Sequence, residues 1–357
     1  MNLTEAPELR DLVTFAPNRR EAIHNWYWYK EGFSRAFVDR MLDVFQAKPG
    51  SVVLDPFCGV GTTCLACKQR GISSVGFDIN PLALLVARAK TADYDLGELA
   101  IAVKDALQWR LELPKEQSRD EYLRRAFSKE NLGLVRAYRE KIESVGDAKV
   151  RDFFMLALID AAAKGSWTVK DGALLRVKRG PVPPVNRIFK YKIRKMLHDL
   201  KKHPMPFAPV RIGPCDARSI ALDRESVDFA VTSPPYLNKE EFSRTYKLEL
   251  SLFFGLPPGR LAAFIGAEQE ASYWADIRKV LFELFRVCRP GAKVAWVVGG
   301  GCFPDRVVET DIRSAELAEA VGFSATGVLV ARHGWCTARK TVKVGPVRES
   351  VVLLEKS

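Results

Sequence analysis

The 357-residue sequence predicts an α/β fold, a largely parallel sheet with a helical, basic insertion after its second strand. Three observations carry this. A strand, a Gly-rich turn, a helix and a second strand follow one another from Ser51 to Asp78. From Leu96 to Leu200 the pattern is mostly helical, with Glu, Lys and Arg between apolar positions. Sheet-like spacing then returns at Val210 and continues to the C-terminal region. The expected organisation is one domain made of residues 1–90 and 209–357, split by a mainly helical basic insertion over 91–208.

In order along the chain, His24 to Lys30 is an aromatic-rich opening. Ser34 to Phe45 keeps a helical period through Phe37, Val38, Met41, Leu42 and Phe45, and Pro49-Gly50 turns the chain. Ser51 to Leu54 reads as a short buried strand. It ends in Asp55-Pro-Phe-Cys-Gly-Val-Gly-Thr-Thr63, whose helix runs to Arg70 and closes at Gly71; Ser74 to Asp78 is the second strand. Within the insertion, Gly180-Pro-Val-Pro-Pro184 must be extended or turned, because proline fixes φ and disfavours a helical residue before it. Further strands are expected at Val210–Ile212, Val227–Val231, Lys293–Val298, Ala325–Ala331 and Glu349–Leu354.

Charge narrows the class of partner. The net charge is +12, and between Lys164 and Arg211 there are 13 Lys or Arg against two acids. Nearly the whole excess therefore sits in one stretch. It suits a polyanion, although a solvated helix face has the same composition. Arg176, Lys178, Arg179, Arg187, Lys190, Lys192, Arg194 and Lys195, with Phe189 and Tyr191 among them, are the candidates for tracking phosphates. No apolar run approaches the roughly 20 residues of a membrane span, and no secretory signal opens the chain. The seven scattered cysteines read as reduced thiols of a cytoplasmic protein. Cys64 and Cys67 have zinc-like spacing but lie within a helix and lack a partner pair, so core packing is expected and no metal is assigned.

Two motifs carry chemistry. Gly59 and Gly61 remove side chains where a backbone must approach a ligand, and the following helix presents free N–H groups. Asp78, at the next strand end, is placed to take ribose hydroxyls. The second motif, Thr232-Ser-Pro-Pro-Tyr236, follows a strand directly and so belongs at the C-terminal edge of the sheet. An exocyclic NH2 is a poor nucleophile, because its lone pair is delocalised into the ring. Acceptors that take its two hydrogens favour the pyramidal form as methyl transfer begins. Tyr236 offers a ring on which an extruded base can lie.

Together these motifs resemble those of the amino-methylating DNA methyltransferases, over residues 24–90 and 209–357. The Ser-Pro-Pro-Tyr form resembles the N4-cytosine branch, and Gly213-Pro-Cys-Asp-Ala-Arg218 resembles a strand end of the same family. The resemblance implies a class I S-adenosylmethionine-dependent, Rossmann-like fold with a mostly parallel seven-stranded sheet. It implies S-adenosylmethionine as cofactor, S-adenosylhomocysteine as product, and double-stranded DNA as partner. Asp55, Phe57, Gly59, Gly61, Thr62 and Thr63 would cradle the methionine part. Asp78 would hold the ribose, and Asp216 with Ala217 the adenine. Tyr29, Lys30 and Phe33 would close over the methionyl end, while Ser233, Pro234, Pro235 and Tyr236 would hold the target base. A restriction-modification setting follows, leaving open a cognate endonuclease, the oligomeric state and the role of 91–208 in target recognition.

Rival readings remain: N6-adenine in DNA, an amino group in RNA, or a nucleic-acid-binding protein that has lost catalysis. A C5-cytosine mechanism through Pro214-Cys215 is disfavoured, because Ser-Pro-Pro-Tyr occupies the catalytic loop.

Overall fold

The computed structural model describes residues 2–114, 118, 120–171, 174–238, 242–256, 265, 269–338 and 342–357. The first half contains β1 (Leu3–Glu5), α1 (Arg35–Val44), β2 (Val52–Asp55), α2 (Thr62–Gln69), β3 (Ser73–Asp78) and α3 (Pro81–Thr91). The insertion follows as α4 (Leu96–Leu107), α5 (Glu121–Ala126), α6 (Lys129–Glu143), α7 (Ala148–Lys164), β4 (Thr168–Asp171), β5 (Leu174–Val177) and α8 (Val185–Lys202). The sheet resumes with β6 (Val210–Pro214) and β7 (Val227–Thr232), then α9 (Phe242–Thr245), α10 (Lys247–Phe254) and α11 (Glu270–Val287). The chain ends with β8 (Cys288–Gly299), β9 (Gly301–Cys302), β10 (Val307–Val308), α12 (Thr310–Val321), β11 (Phe323–Ala338) and β12 (Val342–Lys356).

Local chemistry starts these helices. Ser34, Asn80, Asp95, Asp120, Ser128 and Asp147 each precede a helix and accept from an amide in its first turn. The sheet order is β1-β11-β12-β8-β7-β2-β3-β6. Strand β12 runs antiparallel to both neighbours, while β8, β7, β2, β3 and β6 are mutually parallel. The chain steps outward from β2 to β3 to β6 and returns to lay β7 on the other side of β2. The strand order reverses between β2 and β7, where a crevice opens at the C-terminal ends. This is the class I S-adenosylmethionine-dependent methyltransferase fold that the resemblance implies.

Among the described residues the main sheet has eight strands instead of seven. The additional β1 pairs parallel with β11, and its three residues are all exposed, so it carries no apolar pattern to read. Strands β11 and β12 also run well beyond Ala325–Ala331 and Glu349–Leu354.

The insertion is not purely helical, since β4 and β5 form a hairpin. It also shares its core with the rest of the chain. Tyr138, Phe153, Phe154, Leu158 and Phe189 belong to the same buried cluster as Trp26, Tyr27, Leu82 and Val86. Trp26 Nε1 donates to Asp199 Oδ2 of α8 at 2.9 Å, which ties the aromatic opening to the insertion. One cysteine expectation is corrected: Cys302 and Cys336 form a disulfide joining β9 to β11. They are 34 residues apart in sequence, and the tertiary fold brings them together. Cys64 and Cys67 are free, buried thiols of α2. Among the described residues no helix is long and apolar enough to cross a membrane, and no group of three His, Cys, Asp or Glu is placed to hold a metal.

Candidate active site

The end of β2 is fastened by Asp55. Its Oδ1 accepts from the Thr232 hydroxyl at 2.7 Å and the Phe57 amide at 3.1 Å, and its Oδ2 accepts from Thr63 at 2.7 Å. One carboxylate thus joins β2 to β7 and α2. Burial pushes its pKa up to about 6, against the hydrogen bonds from Thr232, Thr63 and Phe57. Thr63 also donates to the Val231 carbonyl at 3.2 Å.

Beside it, Asp78 at the end of β3 accepts from the Gly59 amide through Oδ2 and the Asn80 amide through Oδ1, both at 2.8 Å. Burial raises its pKa, and those amides oppose the rise. Gly59 has φ +50, and a Cβ there would meet the Tyr29 ring at 3.5 Å. Tyr29 is buried and stacks on Tyr246 of the α9–α10 junction, with centroids 4.9 Å apart and planes 15° from parallel. The Tyr246 hydroxyl accepts from the Lys30 amide at 3.1 Å and donates to Glu31 at 2.8 Å, so it holds the aromatic opening over the Gly loop.

The loop after β7 is held from two distant elements. Tyr273 of α11 donates its hydroxyl to the Pro235 carbonyl at 2.9 Å. Tyr236 donates to Glu349 Oε1 of β12 at 2.7 Å, and the other Glu349 oxygen accepts from Arg332 of β11 at 2.5 Å. The Tyr236 ring lies so near Gly299 that a Cβ there would come within 2.7 Å of it. Burial and the Glu349 charge push the Tyr236 phenol well above its ordinary range, so it stays protonated.

A cavity of about 550 Å³ joins these parts. Its walls include Tyr29, Lys30, Phe33, Asp55, Phe57, Gly59, Thr62, Asp78, Asp216, Ala217 and the whole Ser233-Pro234-Pro235-Tyr236 loop. Gly61 and Thr63 lie outside that lining. A Cβ at Gly61 would sit 2.8 Å from Ala87 Cβ, so this glycine serves the packing of α2 on α3; Thr63 is wholly buried on Asp55. Asp216 lines the cavity, but its carboxylate is shared with Arg218, which also reaches Asp276. Burial works to raise the Asp216 pKa, yet the Arg218 bonds and charge hold it below the ordinary range.

The basic candidates separate. Arg176, Lys178, Arg179, Arg187 and Arg194 are exposed and Lys190 is half-buried. Lys192 is 5% exposed, with its ammonium on the Trp26 carbonyl and Asp160, so it is a core residue and not a phosphate contact. Lys195 is half-buried on Asn25 and Asp199, and Phe189 is in the core. Their places on the inward side of α8 decide this, since polarity alone does not reveal a buried ion pair. Residues without a sequence signal are Tyr246, Tyr273, Arg332 and Glu349, which reach the site only through the tertiary fold.

The DNA methylase family, of N6 and N4 type, matches residues 11–88. Type II methyltransferase M.BsoBI of Geobacillus stearothermophilus is 24% identical, over 97% of this chain and 88% of that protein. Type II methyltransferase M.AvaI of Nostoc sp. is 25% identical, over 68% of this chain and 56% of its own length. Type II methyltransferase M.MjaII of Methanocaldococcus jannaschii is 32% identical over a shorter region, 34% of this chain and 22% of that protein. Residues 11–88 thus match the DNA methylase family, and the Gly loop and the Ser-Pro-Pro-Tyr loop, which carry the resemblance to amino-methylating DNA methyltransferases, share one cavity at the switch point of this fold.

Proposed function

We propose that this chain is a site-specific methyltransferase that moves the methyl group of S-adenosylmethionine to N4 of a cytosine extruded from duplex DNA. The observation that carries the reading is the single cavity whose walls include both the Gly59–Asp78 region and Ser233 to Tyr236. The cofactor fits the first of these. Gly59 leaves a side-chain-free backbone facing the cavity, and a carboxylate stands at the adjoining strand end. When bound, S-adenosylmethionine supplies a methyl group on a sulfonium, activated for direct displacement.

The protein's own part is positioning and electrostatics. Asp78 would take the ribose hydroxyls and Asp216 the adenine amino group. Tyr29, Lys30 and Phe33 would close the methionyl side, leaving Thr62 and Phe57 along the floor. The Ser233 hydroxyl oxygen and the carbonyls of the proline loop would accept the two amino hydrogens of the base. That frees the nitrogen lone pair for in-line attack. Tyr273 takes one lone pair of the Pro235 carbonyl, so Ser233 and the Pro234 carbonyl would be the freer acceptors for this task. Tyr236, protonated and pinned through Glu349, would keep its ring as the surface on which the base lies. No covalent enzyme intermediate is required.

Ser233 in place of an acid favours cytosine over adenine. Transfer of labelled methyl from S-adenosylmethionine to unmethylated plasmid DNA tests the residues. Ser233→Ala and Tyr236→Ala are expected to abolish turnover while binding the cofactor as wild type does. Full activity in both variants would remove the catalytic assignment.

A further inference from the structure

Strands β11 and β12 outrun the sheet. β12 pairs with β8 only over Glu349–Glu355, and β11 with β1 only over Val328–Val330. The two strands nonetheless remain paired with each other from Arg332↔Glu349 to Ala338↔Val342. At about 3.4 Å per residue this is a ribbon on the order of 20 Å long. β11 runs in the same direction as the strands whose C-terminal ends hold the cavity, so the ribbon leaves the sheet on the cavity side. Arg332 and Glu349 at its root line the cavity itself.

Its chemistry differs from that of a structural hairpin. Residues 332–348 include five Lys or Arg and no Asp or Glu; Arg332 is paired with Glu349 and Arg348 with Glu309 and Asp311, Arg339 and Lys340 lie outside the described residues, and Lys343 stands on the exposed ribbon. Trp335 is 58% exposed, and the Lys343 ammonium stands 4.8 Å from its ring centre. Facing pairs place Trp335 opposite Pro346 and Thr337 opposite Lys343. The Cys302–Cys336 disulfide ties the ribbon to β9 beside the catalytic loop, where Asn238 donates to the Cys302 carbonyl.

We propose that this ribbon is a DNA-contacting arm lying against the duplex that flanks the base delivered to the cavity. Lys343 supplies a phosphate contact, and Trp335 supplies an apolar surface for sugars and base edges. The inference rests on the DNA reading above and names a surface for it outside the 91–208 insertion. Two features favour duplex DNA as the occupant: charge complementarity, and continuity with the cavity that must receive the base. A two-stranded ribbon also matches the width of the major groove, about 12 Å.

The test is direct binding of a fluorescein-labelled, unmethylated duplex, followed by anisotropy over a range of salt concentrations and independent of turnover. Trp335→Ala and Lys343→Glu together are expected to weaken binding about tenfold or more, with a shallower salt dependence from the lysine change. S-adenosylmethionine affinity and melting temperature should stay at the wild-type values. Should the double variant melt early, Lys343→Gln alone, on an exposed side chain, carries the test through its salt slope. Unchanged duplex affinity and slope overturn the arm. A wild-type chain that binds duplex through the arm but methylates no DNA base overturns the functional reading and leaves the arm standing. A wild-type chain that does not bind duplex overturns both.

Discussion

Glu349 shows how a single buried carboxylate can hold a loop it does not belong to. It is 8% exposed, takes the Tyr236 hydroxyl on one oxygen and Arg332 on the other, and lies on a strand 113 residues away from that tyrosine. Removing it leaves the Tyr236 hydroxyl and the Arg332 guanidinium without their acceptor. Glu349→Ala is expected to lower kcat about tenfold or more while the Kd for S-adenosylmethionine stays within about twofold. Glu349→Gln, which keeps an acceptor oxygen, should restore most of the loss. Equal kcat in all three proteins would show that the contact does not position Tyr236. Asp78→Ala acts on the other ligand: loss of a charged hydrogen-bond acceptor is expected to raise the cofactor Kd by about 10- to 100-fold in equilibrium dialysis. Gly61→Ala is a matter of stability, since φ is +78 and the new Cβ would sit 2.8 Å from Ala87 Cβ. A cost of about 1–3 kcal/mol is expected in urea denaturation. The sequence made Asp55, Gly59, Asp78 and the Ser-Pro-Pro-Tyr loop legible because each combines a special backbone or a charged group with a strand end. Glu349, Tyr273 and Tyr246 were not legible, as nothing local marks a carboxylate or a phenol that works across the sheet.

Among the elements, those with a strong local period were readable: α1 with its Ser34 cap, β2 with the Gly turn, and β7 leading into the catalytic loop. The exposed β1, the β4–β5 hairpin and the extensions of β11 and β12 were not, because strands outside a core lose the alternation that announces them. The inward side of α8 was misread for the opposite reason. Lys192 looks like surface charge, yet its stem lies among buried apolar residues and its ammonium meets Asp160. It has a companion at the end of α3. Lys90 is 1% exposed, and its pKa is lowered from 10.5 to about 7 by burial and by the Lys192 charge. Between pH 7 and 10.5 the unfolded chain therefore binds more protons at this residue than the folded chain does. Its contribution makes stability climb as pH rises through that window, with the full penalty present below pH 7. Lys90→Met is expected to flatten this slope and to add about 1–4 kcal/mol at neutral pH. Urea denaturation at the two ends of the window checks it. An unchanged slope would mean that Lys90 is solvated.

At the scale of the whole molecule, two charge-bearing regions come from different parts of the chain. One is the exposed side of the insertion, with Arg176, Lys178, Arg179, Arg187 and Arg194; the other is the β11–β12 ribbon at the cavity mouth. The insertion is continuous with the catalytic core through Trp26, Phe153 and Phe189 and is not a lobe hung from it. The reaction proposed for this cavity is methylation of the exocyclic amino group of cytosine. Its most direct test is nucleoside mass spectrometry of DNA from a host without its own methylases, expressing either the wild-type chain or Ser233→Ala. N4-methylcytosine is expected with the wild type and none with the variant. N6-methyladenine alone would contradict the base assignment, and no methylated nucleoside from a chain that binds S-adenosylmethionine would contradict DNA as the acceptor.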